Sequence, residues 1–197
     1  MNLKPVFHPE SVAVIGASAS FAKWGQMVLS NIVAGQFRGR VFPVNPREEV
    51  IFGLPVYRRI QDISEPVDLA IICTPAETVL DVLGGCSEKG VKAVVVITSG
   101  FSETGEAGKA LERRMVTACR ESGILLVGPN TMGILCPHSG LFATGTHTLP
   151  VMHTNEVNEH DAEEDYVPSQ KITIVYKMPG QCHMLWDGVM LQVGSSL

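Results

Sequence analysis

The chain has 197 residues, of which 45% are hydrophobic, enough to bury one core but not two complete ones. Its formal net charge is −5, so neither nucleic acid nor an anionic membrane surface is an expected partner. No apolar run approaches the roughly 18 residues of a membrane span, and residues 1–10 do not resemble a secretion signal, which predicts a cytoplasmic protein. Five scattered cysteines, without metal or redox spacing, predict reduced thiols.

Short β-branched segments alternate with longer segments of helical periodicity between Ser11 and about Cys136. Five of them are apolar almost throughout, as strands buried on both faces are: 11–15, 41–44, 68–73, 93–98 and 124–127. Three predicted helices with apolar stripes lie between them and end near Gly35, Gly90 and Gly123. This alternation predicts an α/β fold with a doubly wound parallel sheet, Rossmann-like, whose loops gather at the carboxyl ends of the strands.

The composition changes abruptly after Pro150. Six acidic residues fall within 156–165, which predicts a solvated acidic linker. Beyond it, 171–176 has the pattern of one more strand, and 184–191 that of the start of a helix. The predicted organisation is therefore a Rossmann-like domain at 1–146, a linker at 147–170 and an incomplete C-terminal extension at 171–197.

The turn after the first predicted strand has the composition of a phosphate cradle. Small residues let the backbone approach a ligand, and the following helix offers unpaired amides and a positive dipole to an anion. The candidate ligand residues here are Gly16, Ala17, Ser18, Ala19, Ser20 and Lys23.

The second strand ends in Asn45, Pro46 and Arg47. A dinucleotide fingerprint would need glycine at position 18 and an acidic residue at this strand end, and neither is present. Arg47 suits the 2'-phosphate of NADP and equally the 3'-phosphate of the adenosine in coenzyme A.

Three further loops are expected at the same edge of the sheet, where open α/β sheets bind ligands. They follow the third, fourth and fifth strands, at 74–76, 99–103 and 128–133, and offer candidates such as Thr74, Pro75 and Asn130. The six histidines have no spacing for a metal or a nucleophile–base pair, so no catalytic or metal-binding residue is predicted. Glu103 is expected to cap the helix that follows it.

The segments at 7–18, 42–46, 67–70, 90–93, 100–103 and 128–130, in this order and spacing, resemble the coenzyme A-binding domain of ADP-forming acetyl-CoA synthetases. The same domain opens the α subunit of succinyl-CoA synthetase. The resemblance implies that the phosphates and adenosine of coenzyme A lie on Ser18, Ala19, Ser20 and Arg47. It also implies that Ile97, Thr98 and Ser99 border the path of the pantetheine arm, and that 171–197 begins a second, flavodoxin-like domain.

Three functions follow from these observations. The first is the coenzyme A-binding part of an ADP-forming acyl-CoA synthetase, whose catalysis needs a phosphohistidine loop and an ATP-grasp β-type subunit or further C-terminal domains; the resemblance also implies paired subunits. The second is a non-catalytic module that holds or senses coenzyme A, because 176–180 departs from the turn expected there. The third is an NADP-binding Rossmann domain, for which Arg47 and the fold are the only support.

Overall fold

The computed structural model describes residues 3–136 and 139–145, together with the backbone of 183–186 and 189–192. Within these residues the α-helices are α1 Lys4–Phe7, α2 Trp24–Ala34, α3 Val79–Lys89 and α4 Glu106–Glu121. The strands are β1 Ser11–Ile15, β2 Arg40–Val44, β3 Val50–Ile51, β4 Leu54–Pro55, β5 Leu69–Ile72, β6 Ala93–Val96, β7 Leu125–Val127, β8 Gly133–Cys136, β9 Leu141–Thr144, β10 His183–Trp186 and β11 Val189–Gln192. Short 3₁₀ helices occupy Ile60–Asp62, Ala76–Thr78 and Ser102–Thr104.

The central sheet is parallel and has the strand order β2-β1-β5-β6-β7. The chain adds β2 on one side of β1 and then β5, β6 and β7 on the other, so the order reverses between β1 and β5. Such a switch point opens a crevice at the carboxyl edge of a sheet, because the loops on its two sides diverge. The predicted doubly wound α/β fold is confirmed.

The sheet is covered on both faces, as its continuous apolar strands predicted. Val12 and Val14 of β1 pack into a core with α1, α2 and the β8–β9 hairpin. Ala13 and Ile15 point the other way, into a core with α3 and α4. The period of two along a strand thus places alternate residues of one apolar run in two separate cores.

The predicted helix ends at glycine are confirmed, although the reasons differ. Gly90 adopts a left-handed conformation (φ +75°), and its N–H donates to the carbonyls that close α3. Gly35 stays right-handed (φ −71°). A Cβ at Gly35 would overlap the ring of Phe142 and lie 2.7 Å from the carbonyl oxygen of Gly140. Glycine at position 35 therefore lets the β8–β9 hairpin lie directly on α2.

The tail differs from its prediction. The predicted helix at 184–191 is wrong, because β10 and β11 form an antiparallel hairpin with Trp186 paired to Val189. The two residues between these strands, Asp187 and Gly188, form a dipeptide that favours a two-residue hairpin loop. The hairpins β3–β4 and β8–β9 were not predicted either. The predicted linker at 147–170 and strand at 171–176 lie outside the described residues.

In the part of the chain that the structure describes, none of the helices combines the length and the hydropathy that a membrane span requires. The four cysteines in this part of the chain, Cys73, Cys86, Cys119 and Cys136, are unpaired thiols. Burial in the core beneath α3 and α4 raises the pKa of Cys86 to about 12 and that of Cys119 to about 11. Both thiols are therefore neutral at physiological pH and pack as small apolar groups.

Candidate functional site

The turn after β1 lies at the switch point of the sheet and is held from both sides. Gly16 has a left-handed backbone (φ +86°), and its N–H donates to the carbonyl of Val44 at 3.0 Å. A Cβ at Gly16 would lie 3.0 Å from the carbonyl carbon of Cys73, so the turn packs closely against the loop that follows β5. Ser18 is buried, and its Oγ accepts a hydrogen bond from the N–H of Ser20 at 3.0 Å. These contacts fix the shape of the turn.

Helix α2 starts directly above this turn. A Cβ at Gly25 would overlap the carbonyl oxygen of Gly16 and lie 2.7 Å from its carbonyl carbon, so only glycine allows this approach. The first amides of a helix have no acceptor within the helix and carry the positive end of its dipole. Lys23 precedes the helix and is exposed, as are Ala19 and Ser20. The structure thus brings the predicted cradle residues together around a helix start of the kind that binds phosphate.

Asn45 connects the end of β2 to this turn. Its Nδ2 donates to the carbonyl of Ala17 at 2.6 Å, and its Oδ1 accepts from the N–H of Arg47 at 2.8 Å. Pro46 and Arg47 are exposed beside the turn. Because of these two bonds, the position of the Arg47 backbone depends on the same side chain that supports the phosphate-type turn.

A cleft of about 990 Å³ extends along the carboxyl edge of the sheet. It is bounded by the start of α2 and by the loops after β5, β6 and β7. Six of the predicted site residues line it: Thr74, Pro75, Ile97, Thr98, Ser99 and Asn130. Trp24, Cys73 and Met132 also line the cleft and were not among the predicted ligand residues. Cys73 directly follows the last residue of β5, and this position at the carboxyl end of a strand could have indicated that it lines the cleft.

Most hydroxyl groups in the cleft walls bind the loop backbone. Thr98 Oγ1 donates to the carbonyl of Thr74 at 2.6 Å, and Thr131 Oγ1 accepts from the N–H of Gly133 at 3.3 Å. Asn130 has a left-handed backbone (φ +54°), and its N–H donates to the carbonyl of Thr98 at 2.9 Å. The loops after β5, β6 and β7 are thereby joined into one wall, which preorganises the cleft. Thr74 Oγ1 differs, because it is buried without a hydrogen-bond partner.

Glu103 is the one charged side chain among the described residues that line the cleft. Its carboxylate accepts a hydrogen bond from the N–H of Gly100 at 2.5 Å and so closes the loop after β6. The prediction that it caps the following helix is wrong, since the N-cap residue of α4 is Gly105 and no side chain caps this helix. Burial raises the pKa of the Cys73 thiol to about 12, so this thiol is neutral at physiological pH. Apart from the Glu103 carboxylate, which is bound to Gly100, the described side chains of the lining are uncharged, so the cleft suits an uncharged part of a ligand.

Among the described residues, no three histidine, cysteine, aspartate or glutamate side chains are grouped to hold a metal ion. The described residues form an anion-type turn at the switch point and, beside it, a cleft whose one charged side chain, Glu103, is bound to the backbone of Gly100.

A family model described as "CoA binding domain" matches residues 10–137 of this chain. The chain belongs to this family of CoA-binding domains. The match spans β1 to β8 and so includes the turn, the end of β2 and the loops of the cleft. The family resemblance identified in the sequence is confirmed.

Curated relatives of this CoA-binding domain are ADP-forming ligases. The chain is 41% identical over 156 residues to "Acetate--CoA ligase [ADP-forming] II" of Archaeoglobus fulgidus, covering 79% of this chain and 23% of the relative. It is 46% identical over 138 residues to the subunit alpha of the corresponding Pyrococcus furiosus ligase, covering 70% of this chain and 30% of the relative. The chain thus spans about a quarter to a third of the length of these relatives.

A solved structure has the same fold. It is the "dinucleotide forming Acetyl-coenzyme A synthetase 1" of Ca. Korarchaeum cryptofilum, in complex with phosphate and ADP, with a TM-score of 0.71 and 38% identity. The superposed part covers 73% of this CoA-binding domain chain and 31% of the solved chain.

Proposed function

We propose that this chain is the coenzyme A-binding part of an ADP-forming acyl-CoA synthetase of the acetyl-CoA type. One observation carries the proposal: a phosphate-type turn adjoins the cleft at the switch point, where Gly16 packs against Cys73, and the one charged side chain in the described lining of that cleft, Glu103, is bound to the Gly100 amide. Coenzyme A has the matching division, with a phosphorylated adenosine at one end and a neutral pantetheine arm at the other. Family membership and the ligase names of the relatives support the same ligand.

In the proposed complex the pyrophosphate lies on the Ser18–Ser20 turn and the start of α2, with Lys23 nearby. The adenosine and its 3'-phosphate lie beside Arg47. The arm enters the cleft past Ile97 and Ser99 and extends toward Asn130. Bound coenzyme A supplies the thiol that becomes acylated, and the residues described here bind and orient it.

We further propose that acyl-CoA formation requires a partner, either an ATP-grasp β-type subunit or further domains. Two Pyrococcus furiosus relatives are named as alpha subunits, which supports a partner subunit. The unpaired cysteines of the described residues favour a reducing compartment, and we place this activity in the cytoplasm.

The proposed ligand is tested by calorimetric titration with coenzyme A, 3'-dephospho-coenzyme A, NAD and NADP. We expect coenzyme A to bind most tightly and loss of the 3'-phosphate to weaken binding about tenfold, the effect of one charged hydrogen bond. Arg47→Ala should weaken coenzyme A binding to a similar extent without affecting 3'-dephospho-coenzyme A. Arg120→Ala is the control, because Arg120 is an exposed arginine in the last turn of α4, at the opposite edge of the sheet.

Tight binding of NADP with no binding of coenzyme A would overturn the proposal. A chain that binds coenzyme A but shows no ADP-dependent acyl-CoA turnover when a β-type subunit is added would instead be a non-catalytic module. In that case the proposed ligand stands and the proposed synthetase function is rejected.

A further inference from the structure

We infer that Trp24 is the main side chain that binds the uncharged arm of the ligand in the cleft. The inference rests on the proposed function, because it takes coenzyme A as the ligand. Trp24 is 44% exposed, a large apolar area for a soluble domain to leave in contact with water. Of the large hydrophobic side chains exposed within the described residues, it is the one that lines the cleft; the others are Phe21, Val33, Val50, Phe52 and Val116.

The indole is held in position before any ligand binds. Trp24 is the first residue of α2, and one edge of its six-membered ring lies against the backbone of Gly145. A Cβ at Gly145 would overlap that ring, with Cη2 only 3.3 Å away. The Gly145 N–H donates to the carbonyl of Met132 at 3.1 Å, and Asn31 of α2 donates to the carbonyl of Thr144 at 2.7 Å. The ring is therefore fixed between α2 and the end of the β8–β9 hairpin.

A preorganised aromatic surface in a cleft is a strong binding element. Its large apolar area is covered by the ligand, and little rotamer entropy is lost, because the side chain is already held. The surrounding walls, which include Pro75, Ile97 and Met132, are apolar with interspersed hydroxyls and the carboxylate of Glu103. A flat indole in such a lining suits the planar amides and methylene groups of a pantetheine arm and gives no advantage to a phosphate.

The test compares coenzyme A with adenosine 3',5'-bisphosphate, which carries phosphates but no arm. By calorimetry we expect Trp24→Ala to lower the affinity for coenzyme A at least tenfold and Trp24→Phe to lower it two- to fourfold. Neither variant should change the affinity for adenosine 3',5'-bisphosphate more than twofold. Phe52→Ala removes an aromatic ring of similar exposure (47%) outside the cleft and should bind both ligands as the wild type does.

Two further variants retain the indole of Trp24. They test its contact with the ligand without removing its contribution to folding. Gly145→Ala should displace the ring and weaken coenzyme A binding while leaving adenosine 3',5'-bisphosphate unaffected. In Trp186→Phe, Trp24 is the only tryptophan, since the sequence has two. There, coenzyme A should reduce acrylamide quenching of the fluorescence, and adenosine 3',5'-bisphosphate should reduce it much less.

The results that contradict the inference are distinct from those that contradict the proposed function. If the wild type binds coenzyme A and Trp24→Ala binds it equally well, the role of Trp24 is wrong and the proposed ligand stands. Equal loss of both ligands in Trp24→Ala means that the residue only supports the start of α2, which also overturns the inference. If the wild type binds no coenzyme A, both proposals fail.

Discussion

Replacing Gly25 with alanine tests whether the contact between α2 and the turn after β1 builds the phosphate end of the site. The added Cβ would lie 2.7 Å from the carbonyl carbon of Gly16, and closer still to its oxygen. Two carbons at van der Waals contact need about 3.5–4.0 Å, so the start of α2 must retreat by about 1 Å. Overpacking of this kind costs about 1–3 kcal/mol of unfolding free energy. The retreat also moves the helix amides away from a bound phosphate.

Gly84→Ala is the matched control. Gly84 lies within α3, is exposed, and has no atom within 4 Å of an added Cβ. The same substitution should therefore raise the unfolding free energy by about 0.5–1 kcal/mol, because alanine loses less conformational freedom in a helix.

The two variants are compared by urea unfolding and by calorimetric titration with coenzyme A. For Gly25→Ala we expect affinity to fall at least tenfold, about 1.4 kcal/mol, with a native circular dichroism spectrum. Gly84→Ala should bind as the wild type does. The reasoning is refuted if Gly25→Ala keeps both wild-type stability and wild-type affinity, because the turn and helix would then not be in the close contact described.

Two other substitutions follow from single contacts. Asn45→Ala removes the bonds to Ala17 and Arg47, and we expect calorimetry to show coenzyme A binding weakened about three- to tenfold; unchanged affinity would mean that the turn holds its shape without Asn45. Burial raises the pKa of the Cys86 thiol from 9.0 to about 12. Above pH 9 the unfolded chain therefore loses a proton from this thiol that the folded protein retains. The contribution of this thiol to the unfolding free energy should therefore be constant below pH 9. It should fall by up to about 1.4 kcal/mol per pH unit between pH 9 and pH 12. Urea unfolding at pH 8, 9 and 10 should show a smaller fall for Cys86→Ala, and equal slopes would contradict the burial effect.

The sheet could be predicted from the sequence because each of its apolar segments fits a buried strand better than any other element. A segment such as 11–15, apolar from Val12 to Ile15 and flanked by Glu10 and Gly16, is long enough for a strand and too short for a helix. The tail shows the limit of that reasoning, since the apolar residues at 184–191 suit either element. The Asp187–Gly188 pair between β10 and β11 points to the hairpin, and local sequence chemistry of this kind outweighs average hydrophobicity.

The two ends of the candidate site differ in how far the sequence reveals them. The turn at 16–20 is local, since small residues between a strand and a helix already indicate a phosphate cradle. Trp24 gave no such signal, because its position depends on Gly145 at the end of a hairpin far along the chain. The predicted helix cap at Glu103 is wrong for a related reason. Its carboxylate turns back to Gly100, and the sequence offers both the preceding loop and the following helix as partners.

At two positions of the candidate site, 25 and 145, glycine is required because it has no side chain and not because of its backbone flexibility. Gly25 and Gly145 both lack the positive φ that would itself demand glycine, yet each lies where an added methyl group would meet another part of the site. Gly25 admits the helix to the turn, and Gly145 admits the indole to the hairpin. The phosphate end and the arm end meet at Trp24, which is the first residue of α2, next to Gly25, and whose side chain lines the cleft. Gly145→Ala should consequently weaken contacts with the arm of the ligand, whereas Gly25→Ala moves the start of α2, Trp24 included, and should weaken contacts with the phosphates and the arm together.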